Sequence, residues 1–218
     1  SSSDQFLNKN SSVNLRIDGL VSNEFKVNYY LNEKEISSKI KLTDARLGSN
    51  KIKAILSNNI DQISLSREID VFSTISPEIF TYEIINEFSH DISSYTQGLE
   101  FYGNFLYEST GLNGYSSIKK IDLFQNRVIE TRFLDKQYFG EGLTIINNKI
   151  IQLTWKSKVG FVYDLNTFEM QGSFNYGKSI EGWGLANDGI NIYKSDGTEK
   201  IWLLDSESYK EIDYLEIV

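Results

Sequence analysis

The sequence predicts an all-β protein, and three observations carry that prediction. Gly-Leu steps recur at Gln97-Gly98-Leu99, Glu141-Gly142-Leu143 and Trp183-Gly184-Leu185, with leucine intervals of 44 and 42 residues. A second set of landmarks keeps step, because Asp122 recurs as Asp164 and Asp205 at intervals of 42 and 41. No stretch carries a capped apolar stripe at the helical period, whereas short alternating runs between turn formers are frequent. Periods of about 40 to 45 residues filled with short strands are the signature of four-stranded propeller blades around a central channel.

The elements follow in chain order. From Val13 to Val71 no blade landmark occurs, but apolar residues alternate with period two: Val13, Leu15, Ile17, then Phe25, Val27, Tyr29, Leu31, and later Ile63, Leu65, Ile69, Val71. Separators rich in turn formers lie between these runs at Asp18-Gly19, Leu47-Gly48-Ser49-Asn50 and Ser57-Asn58-Asn59. This pattern suits a small antiparallel sandwich of immunoglobulin type over residues 1–76. The one proline, Pro77, cannot donate to a ladder and favours an extended connection, so the domain boundary is placed there. Residues 77–218 then hold the propeller, with turn pairs at Gly103-Asn104, Asn113-Gly114, Asn147-Asn148 and Asp188-Gly189 as hairpin tips. From Tyr82 onward there is room for about three blades at 40 to 45 residues each. An unclosed ring would leave sheet edges open, so this reading expects further blades from elsewhere in the protein or from a partner.

Composition narrows the chemistry. The chain has 218 residues, a net charge of −8, no Cys and a single His. Thiolate nucleophiles, thiolate zinc sites and multi-histidine metal centres are thereby excluded. Basic residues are dispersed rather than gathered into a stripe, which argues against a nucleic-acid partner. No apolar run approaches 18 residues, so no membrane-spanning helix is expected. The polar start Ser1-Ser2-Ser3-Asp4 reads as a tether, and on that basis the protein is expected to be exported, to the periplasm or the cell surface.

If the Gly-Leu steps are equivalent positions on successive blades, Gln97, Glu141 and Trp183 converge at one end of the channel. From spacing alone, Glu141 between two glycines serves equally well as a turn cap or as a reactive carboxylate. Trp155 and Trp183 are, on the same terms, core aromatics or pocket walls. The repeat glycines read as necessities of close backbone approach. His90 is assigned no function, and Asp196-Gly197 and Asp205 read as turn formers rather than metal ligands. No metal site or cofactor is expected, and nothing in the sequence supports a structural calcium.

Several blocks stand in register: Tyr95-Thr96-Gln97-Gly98-Leu99, Glu108-Ser109-Thr110-Gly111, Gly114-Tyr115-Ser116-Ser117-Ile118, Phe139-Gly140-Glu141-Gly142-Leu143, Leu153-Thr154-Trp155-Lys156, Glu181-Gly182-Trp183-Gly184-Leu185 and Ser195-Asp196-Gly197-Thr198. Their order and spacing closely resemble the plant-type glutaminyl cyclotransferase family, five-bladed propeller enzymes that convert N-terminal glutamine into pyroglutamate. The resemblance runs from about Tyr82 to the C-terminus. It implies that Glu141 is the catalytic carboxylate, that Gln97 lines the pocket, and that Phe139, Trp155 and Trp183 supply its aromatic lining. Tyr95 stands where the family more usually has Phe, which keeps the ring and adds a hydroxyl. The implied partner is a peptide or protein beginning with glutamine. The family draws an asparagine, another tryptophan and a lysine from later blades, and no residue here matches them.

The chemistry suits these residue types. The substrate's own α-amine attacks its γ-carboxamide, so no enzyme nucleophile is needed, and a single carboxyl group can move the proton from amine to departing ammonia. Two other classes compete. One is a noncatalytic propeller that binds a peptide end or small ligand in the same pocket. The other is a metal-dependent hydrolase propeller, for which Gln, Glu and Trp at the three repeat positions are a poor ligand set.

Overall fold

The computed structural model describes residues 7–19 and 25–217. The Ser1–Asp4 tether lies outside the described residues. Among the described residues every regular element is a strand, except one 3-10 turn at Leu42–Asp44. The chain divides into two compact units, residues 1–80 with 216–218, and residues 81–215.

The first unit contains β1 (Leu7–Asn8), β2 (Ser12–Asn14), β3 (Lys26–Leu31), β4 (Lys34–Ile36), β5 (Lys39–Lys41), β6 (Gly48–Ser57) and β7 (Gln62–Phe72). One sheet runs in the order β1-β7-β6-β3-β4, with β1 parallel to β7, and β2 pairs β5 in a second, two-stranded sheet. Leu31, Leu42, Ala45 and Val71 form the core, with Val13 and Ile40 packed on it from the small sheet and Ile36, Ile52 and Ile69 from the large one. The separator expected at Leu47–Asn50 is instead mostly strand, because β6 begins at Gly48 and pairs with β7 from Gly48↔Val71 to Ser57↔Gln62. Gly48 has φ +84 and bends the chain into that strand. Asn50, almost fully buried, donates to the carbonyls of Arg46 and Gly48 and accepts from Arg46 N and Asn32 Nδ2, so a turn-forming residue type serves as an internal tie.

The second unit holds three four-stranded antiparallel sheets. The first comprises β8 (Thr96–Tyr102), β9 (Phe105–Thr110), β10 (Ser117–Asp122) and β11 (Arg127–Phe133). The second comprises β12 (Gly140–Ile146), β13 (Lys149–Thr154), β14 (Val159–Asp164) and β15 (Met170–Asn175). The third comprises β16 (Leu185–Asn187), β17 (Asn191–Ser195), β18 (Lys200–Asp205) and β19 (Glu211–Glu216). Consecutive strands are neighbours in every sheet, which is the blade pattern that the double periodicity predicts. Both phases have a structural cause. The Gly-Leu steps mark the first strand of each blade, although in the third blade Trp183 and Gly184 lie just before the strand begins. The Asp phase marks the end of each third strand, where the Oδ1 of Asp122, Asp164 and Asp205 accepts backbone N–H groups of the following turn.

Alternation along the middle blade sorts its side chains between two cores. Ile145, Ile150, Phe161 and Tyr163 pack with Tyr107 and Ile118 of the first blade, while Ile146, Ile151 and Val162 pack with Ile192, Trp202 and Leu204 of the third. Every residue of β12 is buried as a result. The flanking blades have one such neighbour each and leave Leu99, Phe101, Phe133, Ile212 and Leu215 exposed.

The first strands approach closely because the repeat supplies glycine. A Cβ on Gly98 would lie 2.7 Å from Leu143 N, and one on Gly142 would lie 2.5 Å from Trp183 O and 2.7 Å from Leu185 N. These are backbone atoms and cannot swing aside. Gly142→Ala is therefore expected to lower unfolding free energy by about 1–3 kcal/mol, whereas Gly172→Ala, where an added Cβ meets nothing within 4 Å, should stay within about 0.5 kcal/mol of the parent. Equal denaturant midpoints for the two variants would refute this account of the repeat.

Candidate active site

Two β-bulges aim the principal side chains. In β8, Thr96 pairs with Thr110 and Gly98 with Ser109, which leaves Gln97 as the extra residue. In β12, Gly140 pairs with Thr154 and Leu143 with Gln152, so Glu141 and Gly142 together face Leu153 alone. A bulge interrupts the alternation and re-aims the side chain at that point. Since Gly98 abuts Leu143 N and Gly142 N donates to Trp183 O at 2.8 Å, the three steps lie side by side. Buried hydrogen bonds hold the second bulge: Gln152 Nε2 donates to Ser109 Oγ at 2.8 Å, and Ser109 Oγ in turn donates to the Glu141 carbonyl.

An aromatic row borders these bulges. Tyr95 meets Phe139 edge-on with ring centroids 6.1 Å apart, and Phe139 meets Trp155 at 5.6 Å. Gly111 makes room for Phe139, whose ring atoms would lie 2.5 Å from an added Cβ. Gly197, at φ +82, does the same for Trp183, whose ring would come within 2.7 Å. Tyr95 and Trp183 are about half exposed, while Phe139 and Trp155 are partly buried between them.

Beyond Trp155 the row is continued by a carboxylate. Trp155 Nε1 and Trp183 Nε1 both donate to Glu181 Oε2, at 2.5 and 2.7 Å. The Trp183 indole N–H is thus committed to Glu181 in this arrangement. The Trp183 hydrogen bond, followed by that of Trp155 and the charge of Lys156, holds the Glu181 carboxyl below its usual range. Lys156 Nζ also sits 4.0 Å above the Trp155 ring.

Glu141 is in the opposite situation. It is 9 % exposed, and among the described residues its carboxylate accepts no hydrogen bond. Burial, and secondarily the charge of Glu181, pushes its pKa up to about 7. Gln97, partly buried, likewise has no side-chain hydrogen bond among the described residues. Of the six residues singled out from sequence, Tyr95, Phe139 and Trp155 form one continuous ring contact, and Trp183 joins them through Glu181. Gln97 and Glu141 occupy the adjacent bulges.

Glu181 is the residue that sequence reading missed. Its signal is the repeat itself: Tyr95, Phe139 and Glu181 recur at intervals of 44 and 42, each two residues before its Gly-Leu step. The third blade thus places a carboxylate where the first two place a ring. Asp196 does more than form a turn. It is 1 % exposed and receives hydrogen bonds from Trp202 Nε1, Ile180 N and both Thr198 donors, and so ties the segment carrying Glu181 to the third blade. His90 bonds the buried Glu108 at 2.8 Å as part of the first blade's internal network. No group of three or more potential metal-ligating side chains occurs among the described residues.

Four-stranded blades, with bulges that set a buried carboxylate beside an aromatic row, define a propeller-like all-β protein. The family model for glutamine cyclotransferase matches residues 54–218, and the chain belongs to that family. It is 40% identical over 140 residues to glutaminyl-peptide cyclotransferase of Arabidopsis thaliana, an alignment that spans 64% of this chain and 43% of the relative. The crystal structure of Myxococcus xanthus glutaminyl cyclase superposes with a TM-score of 0.56 at 24% identity, covering 62% of this chain and 56% of that one, which bears on the fold. The chain thus spans less than two thirds of either relative.

The raised pKa has a thermodynamic consequence. Between about 4.5 and 7 the folded state holds a proton on Glu141 that the unfolded chain has released, so stability contributed at this site falls as pH rises through that window. Glu141→Gln removes the cost of burying the ionised carboxylate. The variant is expected to gain on the order of 1 kcal/mol or more over the parent at pH 8 relative to pH 4, measured by urea unfolding at both values. A difference that does not vary with pH would count against a buried, late-titrating Glu141.

Proposed function

We propose that the complete protein is a glutaminyl-peptide cyclotransferase that converts N-terminal glutamine of peptides or proteins into pyroglutamate and releases ammonia. Membership of the glutamine cyclotransferase family supports this reading, and the single observation that carries it on this chain is Glu141. A buried carboxyl that accepts no hydrogen bond among the described residues, with its pKa pushed up to about 7, is poised to take and return a proton near neutral pH.

In the proposed reaction the neutral α-amine of the substrate, whose pKa is about 8, attacks the γ-carbon of the glutamine side chain. One amine proton passes to the Glu141 carboxylate as the C–N bond forms, and Glu141 returns it to the amide nitrogen, which leaves as ammonia. The Gln97 carboxamide supplies an N–H donor for the carbonyl oxygen as negative charge collects there. Tyr95, Phe139 and Trp155 form an apolar wall that favours the folded, ring-like shape of the substrate side chain and excludes water. The first unit, two sheets over a common apolar core, fits the immunoglobulin-like class.

In the full-length protein, Glu141→Gln should lower turnover by roughly 10²-fold or more while preserving the fold. Ammonia release and thermal unfolding measured on the same samples test this. Turnover within a few-fold of the parent, or a loss that merely follows melting temperature, would return Glu141 to the role of a turn cap. A peptide with a blocked α-amine should be inert.

A further inference from the structure

The aromatic row contains a join between two blades. Trp155 follows the second strand of the middle blade, Trp183 precedes the first strand of the third, and both indole N–H groups converge on the one oxygen Oε2 of Glu181. Each indole is also fixed through its backbone, since Trp155 N donates to Phe139 O and Trp183 N donates to Ser195 O, both at 3.0 Å. Backbone bonds set where the rings start; the shared carboxylate sets where they end.

Resting on the cyclotransferase reading, we propose that Glu181 is a positioning residue of the pocket, cross-linking the indoles of Trp155 and Trp183 so that the far end of the aromatic wall keeps a fixed spacing against the substrate side chain. Two charge-assisted hydrogen bonds to one oxygen make a stiffer join than ring contact alone. Glu181 also acts on Glu141 from a distance. The charged groups that influence it are Lys156 from the middle blade, Asp196 from the third and Glu141 from the inner strand. Its negative charge adds to the burial that keeps Glu141 protonated until near neutrality. Removing that charge lets Glu141 ionise at lower pH, and because the reaction begins with Glu141 as a base, the acid limb of the rate profile moves to lower pH.

The chain contains three tryptophans, which allows the join to be read directly. In protein labelled with ¹⁵N at the indoles, Glu181→Ala should shift the Trp155 and Trp183 N–H resonances and leave that of Trp202, bonded to Asp196 at 2.8 Å, in place. Glu181→Gln keeps an oxygen acceptor and should shift them less. In ammonia-release assays of the full-length protein, Glu181→Ala, which removes both charge-assisted hydrogen bonds of the join, should raise KM by about tenfold or more. Glu181→Gln should recover most of that KM while carrying the acid limb to lower pH, a signature that a purely structural role would not produce. Unmoved Trp155 and Trp183 resonances in Glu181→Ala, or an unchanged KM and acid limb in both variants, would overturn the proposal. Resonances that move as expected in a protein that releases no ammonia would uphold the cross-link and refute the cyclotransferase reading instead.

Discussion

The site depends on how closely the first strands of successive blades approach. An ordinary pair of strands would be held apart by Cβ atoms. Here Gly98 lies against Leu143 N, and Gly142 lies against Trp183 O and Leu185 N, so backbone faces backbone. The ladder cannot remain regular at such a point, and bulges appear at Gln97 and at Glu141-Gly142. The glycine that permits the approach and the bulge that turns the polar side chain are consecutive in sequence. Close packing and site geometry are therefore one local solution repeated along the chain.

Behind the bulges lies a layer of buried polar residues with the same period. Glu108, Gln152 and Lys194, at intervals of 44 and 42, occupy equivalent places in the second strands and are each almost completely buried. Each is satisfied differently. Glu108 receives His90 at 2.8 Å and Thr96 at 2.6 Å, with Lys119 3.7 Å away. Gln152 donates to Ser109 and accepts from the Tyr163 hydroxyl. Lys194 meets Glu211 at 3.0 Å and lies 3.5 Å over the Tyr176 ring, and burial lowers its pKa despite Glu211. An ion or amide in such a slot is tolerated only when fully partnered, and the partners are what anchor the adjoining backbone. The Gln152 relay that ends on the Glu141 carbonyl is the case that reaches the site.

Two carboxylates within electrostatic reach of each other are driven to opposite protonation tendencies by their surroundings. Glu181 receives two indole N–H groups and the field of Lys156, which favour its ionised form. The Glu141 carboxylate is buried, accepts no hydrogen bond among the described residues and feels the charge of Glu181, which favours its acid form. Environments that separate neighbouring titratable groups in this way are a general means of assigning acid and base roles. Here the separation rests on donors from two different blades.

The sequence by itself determined the all-β class, the blade period and the reason for the Gly-Leu steps that set Gln97, Glu141 and Trp183 side by side, because backbone approach and turn chemistry are local and leave periodic marks; Tyr95, Phe139 and Trp155 were singled out only through the family resemblance. Asp122, Asp164 and Asp205 were legible for the same reason, each closing a turn with its own side chain. Tertiary structure alone decided what the side chains do once assembled. The turn-like Leu47–Asn50 became the start of a long strand because its partner lies in β7, far along the chain. Asp196 became a buried clamp because its donors come from Ile180 and Trp202. Glu181 became the join between two tryptophans because only the packing of one blade on the next brings both indoles to its oxygen. Hydrogen-bond partners distant in sequence leave no period to read, and that physical difference separates what the chain states from what the fold adds.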